Sequence, residues 1–153
     1  MIRISALRNR PVISGNRQIG FLQSISLDQA QKRVQALIVS RGMRGKCVVL
    51  PGEIRSVGDQ FILVDGVKKY ERAYETVSCR FIRDTTGRLV GRIMDYAFQP
   101  DTMTVSAIEI MPGLLPPERS IRMWIYAYQR LDAHTLTIPV LLCDEPTFSE
   151  EGI

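Results

Sequence analysis

The chain has 153 residues, 45% of them apolar and 24% charged, which is the balance of a folded globular protein and excludes a disordered or fibrous one. Its length holds one ordinary domain or two small ones, and no apolar run reaches the ~20 residues of a spanning helix. The net charge of +4 conceals an asymmetry: Asp144, Glu145, Glu150 and Glu151 crowd the last eleven residues, leaving 20 bases against 12 acids ahead of Cys143, a balance of +8. Such a charge admits contact with RNA, anionic lipid or an acidic protein surface, but the Arg residues are scattered, which reads as a solvated face.

Taken in order, Arg10-Pro-Val-Ile13 suits the edge of a strand, because Pro11 has no N–H for a central ladder. Gly15-Asn16 turns the chain. From Gln18 to Leu27, Ile19 and Phe21 and then Ile25 and Leu27 fall at period two, the spacing of one strand face. A polar connection at Asp28 to Lys32 leads to the returning strand Val34 to Ser40, and Arg41-Gly-Met-Arg-Gly45 turns again. Cys47 to Leu50 is a short apolar strand stopped by Pro51-Gly52, and Ile54 to Val64 closes the run around Gly58-Asp59. Asp65 to Val77, with Tyr70 and Tyr74 four apart, fits a short helix or an extended linker.

The order then repeats with a shift of 71: Arg17 with Arg88, Gly20 with Gly91, Val34 with Val105, Ala36 with Ala107, Gly42 with Gly113. The chain reads as a tandem duplication of one β unit. The units are expected at 1–70 and 77–145, with an acidic tail at 146–153. Cys79 to Ile82, Val90 to Phe98 and Thr104 to Ile110 supply the second set of strands. A loop three residues longer after Gly113 places Trp124 opposite Leu50 at an offset of 74, and Leu131, Leu136 and Ile138 match Val57, Ile62 and Val64. The apolar Val140 to Cys143 is a further strand or a docking segment. Gly20 and Gly91 are expected where a bend or a close backbone approach leaves no room for a side chain.

These segments resemble the PRC-barrel domain family. The likeness rests on Arg17-Gln-Ile-Gly20, Val34-Gln-Ala-Leu-Ile38, Leu50-Pro-Gly-Glu-Ile54 and Gln60-Phe-Ile-Leu-Val64, and on Gly87-Arg-Leu-Val-Gly91-Arg-Ile-Met-Asp95 with Val105-Ser-Ala-Ile108. The second copy has Trp124-Ile125 in place of the Leu-Pro element. The resemblance implies an all-β fold of two tandem small six-stranded barrels, and a role in assembly or protein contact with no catalytic residues to carry over. Family members include small stand-alone bacterial proteins, some associated with sporulation, and a ribosome-maturation factor.

Chemistry is sparse. Cys47, Cys79 and Cys143 form no metal-ligand spacing and read as buried reduced thiols, and His134, the sole histidine, reads as a surface or strand-end residue. No glycine-rich phosphate loop precedes a helix. We therefore expect no catalytic residues, no metal, no cofactor and no small-molecule substrate. The clue to binding is Met123-Trp-Ile-Tyr-Ala-Tyr128, which as a strand puts Trp124, Tyr126 and Tyr128 on one face, beside the apolar loop Leu114-Leu115-Pro-Pro. Those five residues, Trp124, Tyr126, Tyr128, Leu114 and Leu115, form the expected partner site. The expected function is a cytoplasmic, non-enzymatic protein-binding or assembly module. The alternative is a ribosome- or RNA-associated factor, and peripheral membrane contact is a further option.

Overall fold

The computed structural model describes residues 1–112 and 123–139. It is all-β, and its two sheets are built on one plan. In the first, β2 (Pro11–Ser14), β3 (Arg17–Leu27), β4 (Val34–Ser40), β5 (Lys46–Val49), β6 (Ile54–Val57) and β7 (Ile62–Val64) lie in the order β6-β7-β2-β3-β4-β5, with β8 (Lys68–Lys69) added beside β5. In the second, β9 (Phe81–Asp84), β10 (Leu89–Gln99), β11 (Thr104–Pro112), β12 (Met123–Ile125), β13 (Gln129–Arg130) and β14 (Thr135–Ile138) lie in the corresponding order β13-β14-β9-β10-β11-β12. The seventh strand of that sheet is β1 (Ile2–Arg3), which pairs with the far end of β10. Each sheet has seven strands, of which six form the core expected of each unit, but they curl into open half-barrels: no ladder joins β5 to β6, the outer strands of that core.

The correspondence between the two sheets extends to the irregularities. Register breaks fall between Leu22 and Ser24 and between Ser26 and Leu27 in the first hairpin, and between Ile93 and Asp95 and between Ala97 and Phe98 in the second. Each pair differs by 71 positions, so the bulges that twist and bend the long strands are part of the repeated design. Gly20 and Gly91 meet their expected reason. A Cβ at Gly20 would overlap the Ser40 carbonyl, and one at Gly91 would overlap the equivalent Met111 carbonyl.

The register corrects one alignment. Leu37 faces Val49 and Ile38 faces Val48, while Ile108 faces Ile125 and Glu109 faces Trp124. Trp124 therefore stands where Val48 stands, not Leu50, and the offset across this loop is 76. The later match holds for Leu136 and Ile138, which pair with Ile82 and Asp84 as Ile62 and Val64 pair with Val12 and Ser14. Leu131 is instead exposed at the end of β13, and Arg130 takes the register position of Val57.

One apolar core runs through both sheets, from Leu22, Leu37 and Ile62 to Phe98, Ile108 and Leu136. The segment between the sheets is extended rather than helical, apart from one 3-10 turn at Arg72–Tyr74. Tyr70 and Tyr74 lay their rings on Ala36, Ile38 and Val48, a small apolar cluster on the outer side of the first sheet. Cys47 and Cys79 are buried free thiols, as expected, and burial raises the pKa of each. Cys143 lies outside the described residues.

Candidate functional site

Loops 28–33 and 100–104 are the turns of the two long hairpins, and they meet. Val34 N–H donates to the Met103 carbonyl at 2.9 Å, and Val105 N–H donates to the Lys32 carbonyl at 2.7 Å. Since 34 and 105, and 32 and 103, are repeat equivalents, each bond is the image of the other about a pseudo-two-fold axis. The segments that lead into each sheet are exchanged across it. Ile2–Arg3 runs beside Phe98 and Ala97 of the second sheet, while Thr76 N–H donates to Ser26 Oγ of the first at 3.0 Å.

This junction is unusually polar. Gln31 is buried at positive φ; its side-chain carbonyl accepts the Tyr96 hydroxyl at 3.1 Å and its backbone carbonyl accepts the Tyr128 hydroxyl. Lys32 Nζ sits 3.6 Å above the Tyr128 ring and donates to the Tyr128 carbonyl at 2.5 Å. Burial pushes both phenols well above their ordinary range, and desolvation lowers the Lys32 pKa against the opposing pull of Asp28. On the other side of the axis Asp95 accepts Ser5 N–H at 3.2 Å and the Ser5 hydroxyl, and Glu109 pairs with Arg3 at 2.9 Å. These buried ionisable groups fasten the N-terminal segment to the second sheet. Gln31 and Glu109 had no signal in the sequence, and Asp95 entered only as the end of the Gly87–Asp95 motif, for each sits in an ordinary strand or turn and gains its role from a segment far along the chain.

The aromatic segment does not form one face. The strand ends at Ile125, so period-two alternation stops there. Trp124 is half-buried on the outer side of the second sheet under the Arg3 guanidinium, 5.1 Å from its ring centre. Tyr126 is 65% exposed, and Tyr128 is buried in the junction at 4%. Of the three rings expected on one face, Tyr126 is exposed, Trp124 is partly covered by Arg3, and Tyr128 lies inside. Leu114 and Leu115 lie outside the described residues.

Tyr126 borders a cleft of about 500 Å³, lined also by Lys32, Thr85, Tyr128, Ile138 and Pro139. In the first sheet the corresponding chain folds into the 3-10 turn Pro51–Glu53, whose leading Leu50 packs on the outer apolar cluster. In the second sheet residues 126–128 pass directly towards β13, and Tyr126 is left outside. His134 is exposed; its N–H donates to Asp132 Oδ1 at 2.9 Å, and its carbonyl accepts the Arg80 and Phe81 amides. Among the described residues no three His, Cys, Asp or Glu side chains are grouped to hold a metal.

A family model, the PRC-barrel domain, matches residues 1–71. Residues 1–71 are a PRC-barrel domain. No curated protein matches the chain. The matched span covers β1 to β8, so the PRC-barrel domain includes the N-terminal strand that hydrogen-bonds to the second sheet. Among the described residues no helix is long and apolar enough to cross a membrane.

Proposed function

We propose that this chain is a pair of PRC-barrel units acting as a non-enzymatic, cytoplasmic assembly module, with a protein as partner. The units divide near residues 71–77, and the second, which carries the same strand order, holds the contact. The observation that carries this reading is the exposed Tyr126 at the rim of the cleft, where the second sheet lacks the turn that covers the first. A large amphipathic ring beside an apolar-lined hollow is the kind of anchor that supplies a disproportionate share of interface energy. Trp124 extends the face towards the outer side of the sheet. Asp95 and Glu109, the buried carboxylates, are engaged with Ser5 and Arg3, which supports a structural rather than a catalytic use for them.

The test is affinity capture from the native lysate with wild type, Tyr126→Ala and Trp124→Ala, each checked for its thermal transition. Loss of an interface Tyr or Trp commonly costs ~2 kcal/mol, so a folded Tyr126→Ala protein should retain its partner about thirtyfold less well. A folded variant that captures the same partner at full strength would remove the site from this face. If nuclease treatment releases the partner instead, the ribosome- or RNA-associated reading takes its place.

A further inference from the structure

The cations that are scattered in the sequence are gathered by the first sheet. The β4–β5 turn is built on two positive-φ glycines, Gly42 and Gly45, at +66° and +85°. It is closed by the Arg41 amide donating to the Gly45 carbonyl at 2.8 Å. Two hollows flank it, of about 260 and 470 Å³, and Arg41, Arg44 and Val67 line both. Arg17 joins the first; Lys46, Lys68 and Lys69 join the second. Among the described residues no carboxylate lines either hollow. Asp65 is paired with Arg55 at 3.1 Å, and Glu75 accepts the Tyr70 hydroxyl.

Two further observations bear on what this face receives. Arg41 Nε is buried without a hydrogen-bond partner, and among the described residues no other side-chain nitrogen or oxygen is in that state. A buried guanidinium N–H left unmet is costly, and an acceptor oxygen entering the hollow would meet it. At the tip of the same turn Met43 is fully exposed, and Val67, which lines both hollows, is 40% exposed. Cations around a protruding apolar side chain suit the boundary of a lipid bilayer, where the methyl-terminated tip enters the acyl region while the bases meet phosphates. An RNA strand would favour exposed aromatic rings for stacking, and the aromatic ring lining these hollows, Tyr70, is half-buried with Lys46 Nζ 5.0 Å from its centre.

We propose that the β4–β5 turn is a phosphate-binding membrane contact, with Arg41, Arg44, Lys46, Lys68 and Lys69 receiving the phosphodiester groups of an anionic lipid surface and Met43 inserting between them. The face lies on the first sheet, away from Tyr126, so the proposal stands independently of the protein contact above.

The experiment is co-sedimentation of the full chain with phosphatidylcholine vesicles, with or without about a third phosphatidylglycerol, in low and high salt. Binding is expected only to the anionic vesicles, with a loss of about tenfold or more between about 50 and 500 mM salt. Arg44→Gln/Lys68→Gln, both at exposed positions, should reduce it at least tenfold, and Met43→Asp severalfold, with unchanged thermal transitions. Arg41→Gln should act in the same direction. Glycerol 3-phosphate and inorganic phosphate serve as soluble probes: saturable binding of millimolar phosphate, read by titration calorimetry, together with no vesicle binding would show a free-phosphate site and overturn the lipid assignment. Equal binding by the variants, binding to neutral vesicles, or binding of poly(U) in place of vesicles would each overturn it as well.

Discussion

Arg33 and Thr104 occupy the same position in the two copies of the repeat, and they pair with each other across an antiparallel bridge. A residue that meets its own equivalent marks the axis of a two-fold arrangement, the geometry of an isologous dimer contained in one chain. The exchanged leading segments follow the same symmetry. A polypeptide of residues 1–77 alone therefore presents a self-complementary edge, and we expect it to sediment as a dimer with concentration-dependent melting. A stable monomer that melts like the whole chain would contradict the symmetry argument.

Gly20 and Gly91 hold the hairpin strands close to a neighbouring carbonyl, Ser40 in one sheet and Met111 in the other. Backbone cannot yield as a flexible side chain does, so Gly20→Ala and Gly91→Ala should each lower stability by about 2 kcal/mol, read from the urea midpoint. Gly52→Ala is the control: nothing lies within 4 Å of its added methyl, and a change within about 0.5 kcal/mol is expected. Equal effects at all three positions would show that loss of glycine flexibility, not overlap, sets the cost.

The outer sides of the two sheets are covered by different chemistry. Ile38 and Val48 lie under Tyr70 and Tyr74, whereas their equivalents Glu109 and Trp124 lie under Arg3. Glu109 is 2% exposed and Arg3 47%, so Arg3→Ala should cost less than a fully buried pair would, about 1–3 kcal/mol. Replacing the charge at the same time, in Arg3→Ala/Glu109→Ile, restores the residue type of the first sheet and should recover at least half of the loss. Denaturant titration of both variants decides it; a double variant weaker than the single one would contradict the equivalence.

Tyr96 and Tyr128 have phenols raised from their ordinary 10.0 by burial. With the folded pKa above the unfolded one, their contribution is fully present below about pH 10 and is lost as pH rises past it, because only the unfolded chain releases those protons. Lys32, lowered by desolvation, acts in the opposite sense on approach to its ordinary 10.5. The tyrosine effect is thus the difference between wild type and Tyr96→Phe/Tyr128→Phe, whose stability should fall less steeply between about pH 9.5 and 11. Tyr128→Phe should also cost about 1 kcal/mol at neutral pH, since the Gln31 carbonyl loses its hydroxyl donor. Parallel pH dependences would show that neither phenol titrates differently in the two states.

The sequence by itself determined the strands and the shift of 71 at which they recur. Alternation at Ile19 and Phe21, the glycines 71 apart and the turns at Gly15, Gly42 and Gly87 are local properties, because strand periodicity and positive φ depend on a few neighbouring residues. The tertiary structure decided where the strands went. Trp124 slid two positions against the first copy because cross-strand register, rather than loop length, fixes a short strand. Tyr128 turned inward because the strand ended at Ile125 and the Gln31 carbonyl needed a donor. Arg17, Arg41, Arg44, Lys46, Lys68 and Lys69 look dispersed along the chain, and become one surface only when β8 pairs with β5 and the β4–β5 turn folds over the β2–β3 end. A charge's neighbours in space are set by sheet order, and sheet order comes from contacts between residues distant in sequence.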